Sequence, residues 1–306
     1  MVSGPARGEV VTVPISELTY KSADGTQIVA YRWDPENPPR AAVQITHGMG
    51  EHARRYDHVA QALNEAGFVV YAQDHRGHGA SADPASYGDL GPGSWAALVD
   101  DIGQLSGIIH DDHADLPLIL LAHSMGSFAA QQYLLDHSAD VDGVVLTGTA
   151  VIDLLEPGLD LSQPLDLAMF NAAFAPARTD YDWLSRDEAI VDAYVADPAC
   201  GFGIDAEATR GMFAGARRLA DPAQVAAMRS DLPVYIAVGE NDPVNGGLAL
   251  LTPLTDRYQA AGLGDVTVRV YPGARHEILN ETNRDEVIAE LNAWLDRVVT
   301  DPGEPG

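Results

Sequence analysis

Cysteine is almost missing. Cys200 stands alone in 306 residues, so no disulfide can close within the chain. A disulfide-stapled scaffold is excluded, and nothing points to an oxidising compartment. Cys200 itself reads as a small packed side chain rather than a reactive thiol. Lysine is equally scarce, with Lys21 the sole example. Basic residues number 18 against 45 acidic ones, a formal net charge of −27. Neutralising phosphates needs a basic footprint, so a nucleic-acid partner is not expected. An anionic membrane surface would repel the chain. The acidic excess reads as a solvated exterior, with adaptation to high salt as the sharper alternative. Long apolar runs are lacking too. None approaches the roughly 18 residues of a membrane span, so no stable membrane insertion is expected. MVSGPARGEV carries no apolar h-region, which argues against a signal peptide and for a cytoplasmic address. The tail TDPGEPG reads as a frayed end.

What is present is ordinary for a globular protein: 46% apolar and 21% charged residues. The segments VVTVP and ELTYKSADGTQIVAYRW predict a hairpin turning at Asp24-Gly25. A strand–helix rhythm follows. AAVQIT, FVVYAQD, PLILLAH, VDGVVLTGTA, LPVYIAVGEND and VTVRVYPG read as strands. Helical spacing marks ARRYDHVAQALNEAG, SWAALVDDIGQLSGIIHDD (Ser94 as N-cap), SMGSFAAQQYLLDH, LALLTPLTDRYQAAG and RDEVIAELNAWLDRVV. Continuous apolar strands alternating with helices imply a mostly parallel sheet covered on both faces, an α/β fold. The rhythm breaks over 151–218, where aromatics, prolines and short helical pieces replace strands. This predicts a core of 1–150 and 219–306 with an inserted helical cap of 151–218.

In LLAHSMGSFAA an apolar strand ends, one serine occupies the turn, and a helix begins at once. Ala122-His123-Ser124-Met125-Gly126 matches the nucleophile-elbow pattern, with Ala in place of the first Gly. Small flanking residues let strand and helix close on a strained serine. The plainer reading is an N-cap serine, but the strand immediately before favours Ser124 as nucleophile. A serine hydroxyl needs a base. Elbow-type hydrolases place serine, acid and histidine in that chain order. Of ten histidines, His276 alone lies beyond residue 137, in the turn PGARHE after a strand. Between them, YIAVGENDPV offers Asp242 at a strand end, preferred to Glu240 because Asp-Pro at a turn tip projects a short, stiff carboxylate. Asp242 would fix the His276 tautomer and stabilise the imidazolium.

Acyl transfer also needs donors at the developing oxyanion, each worth about 3 kcal/mol. The Met125 N–H, next after the nucleophile, is one candidate. The glycine loop Thr46-His47-Gly48-Met49-Gly50 offers Met49 as the other. His47 reads as holding that loop through backbone contacts. DHRGHG, with His75 and His78, reads as a structural loop rather than a metal site, since no cysteine or carboxylate cluster completes it. No metal or cofactor is expected.

Several segments together resemble a known family. HGMGEHARRYDHVAQAL, DHRGHGAS, AHSMGS, GENDPV and YPGARHEILNE are similar to the monoacylglycerol lipase and lysophospholipase-like branch of the α/β hydrolases, whose bacterial members are grouped with serine aminopeptidase-type hydrolases. The motifs recur in order across residues 43–299. The resemblance implies the α/β-hydrolase fold, Ser124, Asp242 and His276 as triad, and Met49 as oxyanion donor. It is weakest in 151–218, where such enzymes set substrate preference; RTDYDWLSRD and DPACGF look more like bacterial lysophospholipase-like members.

The expectation is a serine hydrolase of a small-molecule carboxylic ester with one acyl chain, such as a monoacylglycerol or lysophospholipid. Cap aromatics, Phe170, Phe174, Trp183 and Phe213 among them, are candidates for an acyl pocket, though most would simply pack the cap onto the core. A peptidase or amidase, a carbon–carbon bond hydrolase, or a ligand receptor on a hydrolase scaffold remain as alternatives. Dehalogenase chemistry is disfavoured because it uses aspartate at the nucleophile position. Oligomeric state is left open.

Overall fold

Alternation within each strand builds this molecule from the middle outward. The computed structural model describes residues 15–300; VVTVP and the tail after Thr300 lie outside the described residues. Eight strands form one sheet: β1 (Ile15–Lys21), β2 (Gln27–Trp33), β3 (Ala41–Thr46), β4 (Phe68–Gln73), β5 (Leu118–His123), β6 (Gly143–Thr147), β7 (Val234–Gly239) and β8 (Val266–Tyr271). Their order is β1-β2-β4-β3-β5-β6-β7-β8. β1 pairs with β2, and β2 with β4, antiparallel; the rest are parallel. Helices α1 (Asp57–Glu65), α2 (Ser94–Asp112), α3 (Met125–His137), α4 (Glu188–Ala196), α5 (Ala206–Ala216), α6 (Pro222–Val225), α7 (Leu251–Ala260) and α8 (Arg284–Thr300) complete the described regular structure with short 3-10 turns.

Because successive side chains leave a strand on opposite faces, the apolar runs feed two cores. Ala42, Leu118, Leu120, Val144, Leu146 and Ile236 point to the face packed by α2, α3, α5 and α7. Val43, Ile45, Ile119, Leu121 and Val145 point to the face covered by α1 and α8. The hairpin turns where expected: Ser22 N donates to Thr26 O (2.8 Å) around Asp24-Gly25, with Gly25 at φ +90°.

One detail differs from expectation. Ser94 does not cap α2. Gly93 does, at φ +74°, and Ser94 is the first helical residue at φ +47° with its hydroxyl buried and unpartnered among the described residues. The Gly91-Pro92-Gly93 turn swings left-handed and carries the serine inside. α5 packs onto the body: Gln132 bridges Trp95 Nε1 (2.7 Å) and Met212 O (3.1 Å), and a Cβ on Gly215 would lie 1.7 Å from Gln132 Oε1. Among the described residues no helix is long and apolar enough to cross a membrane.

Candidate active site

β3 and β5 are neighbours whose outgoing connections diverge, β3 leading to β4 on one side and β5 to β6 on the other. A crevice opens at the carboxyl ends of strands at such a switch point. Thr46 ends β3 and His123 ends β5, so the loop His47–Gly50 and the turn at Ser124 rise side by side. Contact is direct: a Cβ on Gly48 would sit 3.2 Å from Ser124 Cβ.

Ser124 has φ +50° and ψ −121°, a conformation L residues avoid. Neighbours enforce it. Ser124 N donates to Thr147 O (2.9 Å), and Ser124 O accepts from Ser127 N (2.8 Å) and Phe128 N (3.1 Å). Gly126 permits the approach, since a Cβ there would meet Thr46 O at 2.3 Å and His47 O at 2.5 Å. The serine is half-buried, at the start of α3.

His276 and Asp242 are buried and joined, with Nδ1 2.9 Å from both carboxylate oxygens. Asp242 Oδ1 also accepts from Val244 N (2.8 Å), which fixes the carboxylate in its turn. Burial alone pushes the His276 imidazole down, but the charge and hydrogen bond of Asp242, with Glu277 and Glu51 behind, outweigh it and hold His276 above its ordinary value. His276 Nε2 is buried without a partner among the described residues. No hydrogen bond among the described residues links it to Ser124 Oγ, as is common before substrate tightens such sites. Glu240, the competing acid, is exposed and accepts from Gly273 N (2.8 Å).

Gly48 N donates to Glu51 Oε1 (2.6 Å) and Gly50 N to His78 Nε2 (3.3 Å). Between them, Met49 N–H has no partner among the described residues. Met125 N–H opens α3. His47 spans the loop base, its Nδ1 2.7 Å from Gly48 O and its Nε2 accepting from His75 N (2.9 Å). Burial drives His47 and His75 well below the ordinary histidine value and His78 to about 4, so these three rings, packed tilted and edge-on against one another, favour the neutral form. Arg76, between them in DHRGHG, is buried against Asp101 (2.8 Å) and Ser22 (2.7 Å).

Several side chains around the site were not anticipated. His123 lies buried beside His276, rings 4.8 Å apart, with its Nδ1 3.0 Å from Thr147 Oγ1. Burial, then the neighbouring His276, lowers it to about 4. Beneath it, Arg55 joins two buried carboxylates, Glu51 and Glu277; its bonds to Glu277 are 2.6 and 2.7 Å. Burial raises the Glu51 carboxyl, but Arg55, His123 and the hydrogen bonds from Gly48 N and Tyr56 OH more than reverse that and hold it below the ordinary glutamate value. The loop that carries Met49 and the histidine turn are thus tied through one guanidinium. The i,i+4 spacing of Glu51 and Arg55 was a visible signal; Glu277 gave none.

Trp183 packs on the His276 ring at 4.9 Å and on Phe170 at 5.0 Å. Trp183 O and Leu184 O accept from His276 N (3.4 Å) and Glu277 N (2.8 Å). Phe174 stacks under Arg275 (4.4 Å) and lines, with Arg186, Asp242, Pro243, Gly246 and Gly273, a cavity of about 700 Å³ on the acid's side of the site. Phe213 is buried in the core cluster that includes α5. Cys200 is half-buried, and burial pushes its thiol up, so without a bound cation the sulfur keeps its proton.

The family model described as serine aminopeptidase, S33, matches residues 37–283. A monoacylglycerol lipase of Mycolicibacterium smegmatis is 34% identical over 291 residues, 92% of this chain and 96% of that one. A monoglyceride lipase of Mus musculus is 29% identical over 302 residues, covering 95% and 94%. The solved structure of a thermostable carboxyl esterase from Bacillus coagulans, in complex with glycerol, superposes with TM-score 0.82 at 30% identity, covering 94% of this chain and all of that one. The chain belongs to the serine aminopeptidase S33 family and has the α/β-hydrolase fold.

Proposed function

We propose that this chain, a carboxylic ester hydrolase, acts on lipid-like monoesters of one acyl chain through Ser124, His276 and Asp242. The observation that carries the reading is the buried His276–Asp242 pair with Nε2 left without a partner near a strained serine turn. His276 takes the Ser124 proton as the hydroxyl attacks the ester carbonyl. The Met49 and Met125 amides receive the oxyanion. His276 then protonates the departing alcohol, and water releases the acid from the acyl-enzyme. Asp242 holds the tautomer that leaves Nε2 free to act as base.

The substrate class rests on two supports. Relatives over more than nine-tenths of the chain are named monoacylglycerol or monoglyceride lipases, and the Bacillus coagulans esterase was solved with glycerol, the alcohol half of such an ester. Residues 151–218 act as the cap, with Phe170, Phe174 and Trp183 beside the acyl chain and Phe213 packing behind. A net charge of −27 favours dispersed monoesters over adsorption to an anionic bilayer, and a cytoplasmic address fits the lone cysteine. An amide substrate is the second reading, favoured by the family's aminopeptidase description.

A panel of monoacylglycerols and p-nitrophenyl esters of graded chain length, with matched amides, tests both readings. Ester turnover that rises with chain length and vanishes in a folded Ser124→Ala variant is expected. Turnover surviving in that variant, or faster amide cleavage, overturns the respective part.

A further inference from the structure

We propose that His52, Asp197 and Cys200 form a binding site for one zinc-like divalent cation. His Nε2 or Nδ1, a carboxylate oxygen and a thiol sulfur come within 4.8 Å of one another there. The set is chemically mixed in the way borderline-soft cations favour: one imidazole, one carboxylate, one thiolate. A tetrahedral ion with bonds of about 2.0–2.3 Å needs its donors roughly 3.3–3.8 Å apart, so small side-chain rotations close the set. His52 Nε2 and Asp197 Oδ2 already stand 3.0 Å apart in a hydrogen bond whose proton the ion would replace. Cys200 would bind as thiolate, its proton passing to solvent.

The backbone prepares this arrangement. Asp197 and Cys200 stand on one tight turn, in which Cys200 N donates to Asp197 O (3.1 Å) and Ala199 N to Asp197 Oδ1 (2.8 Å). His52 comes from the loop that follows β3. Two bonds pin these distant segments together next to the donors: Gly201 N to Gly50 O (3.0 Å) and Tyr194 OH to Gly50 O (2.8 Å). Three donors leave a fourth position for water, and all three residues are half-buried, so a path from solvent exists. The nearby positive charge of Arg55 is already taken up by Glu51 and Glu277. An ion here would clip the inserted segment to the loop that carries Met49, which makes it a fastening site rather than a reacting one. The inference is independent of the substrate reading.

The test exploits the single cysteine. Titrating the full chain with Co²⁺ should produce a thiolate-to-metal charge-transfer band, and that band can arise at Cys200 alone. Zn²⁺ competed against a chromophoric chelator should bind with one equivalent and raise the thermal midpoint. Cys200→Ser should abolish the band. His52→Ala and Asp197→Asn should each weaken zinc beyond the roughly 100-fold that changes outside the coordination sphere produce. Circular dichroism and metal-free ester turnover of the three variants verify that they fold. Absence of the band, zinc uptake no tighter than that of Mg²⁺ or Ca²⁺, or binding unchanged in folded Cys200→Ser would overturn the proposal.

Discussion

Replacing Arg55 by Met removes the one cation between two buried carboxylates. Glu51 and Glu277 are 3% and 4% exposed in their side chains, and Arg55 is 11% exposed. Breaking a buried pair from one side costs about 3–5 kcal/mol, because the remaining charge is left without compensation. Against a total stability of roughly 5–15 kcal/mol, that is a large share. The sign with pH follows from Glu51. In the parent its carboxyl is held below the ordinary value, so its stabilisation is present at neutral pH and is lost as pH falls through that lowered value. Without Arg55, burial dominates and the carboxyl rises above the ordinary value, so the variant gains stability as it takes up a proton on acidification. The deficit should therefore narrow between neutral and mildly acidic pH. Urea unfolding at both conditions measures it. A triple variant, Arg55→Met with Glu51→Gln and Glu277→Gln, keeps the shapes without the charges and should recover most of the loss. A cost below about 1 kcal/mol for Arg55→Met, or no recovery in the triple variant, would refute the argument.

Asp242→Asn should retain the fold and lower kcat by about 10⁴-fold, measured on a p-nitrophenyl ester, because the His276 tautomer is no longer enforced. The pH profile of kcat/KM should rise with pH, with an acid limb centred above 6.5: His276 must be neutral to act as base, and Asp242 holds its protonated form to higher pH. An acid limb below that value would contradict the pairing. Gly126→Ala should lose about 1–3 kcal/mol in urea unfolding through overpacking against the carbonyls of Thr46 and His47, with kcat falling further than stability as α3 shifts Ser124.

Much of the scaffold was readable because its signals are local. AAVQIT and PLILLAH are short apolar runs with sharp boundaries, and they became the adjacent strands β3 and β5. The serine turn was visible because strand, serine and helix follow without a gap. Chain order singled out His276, since no other histidine lies downstream. What stayed hidden depends on contacts that no short window contains. Arg55 reaches Glu277 across 222 positions. Trp183 was legible as an aromatic but not as the surface against which the His276 ring lies. Even the misassigned cap of α2 has this character. Ser94 is a fine capping residue, yet two left-handed residues in succession, Gly93 and Ser94, decide where the helix starts.

The left-handed backbone of Ser124 has a consequence for anyone who would harden this protein. At φ +50° the residue best suited to the turn is glycine, which adopts that conformation without a clash at Cβ. Strain of this kind is worth about 1–3 kcal/mol. Selection for thermal tolerance alone would therefore drift toward Ser124→Gly, a sturdier chain with no hydroxyl. With Ser124 as the proposed nucleophile, stability and turnover compete at a single residue, so any screen for robust variants has to score catalysis in the same round.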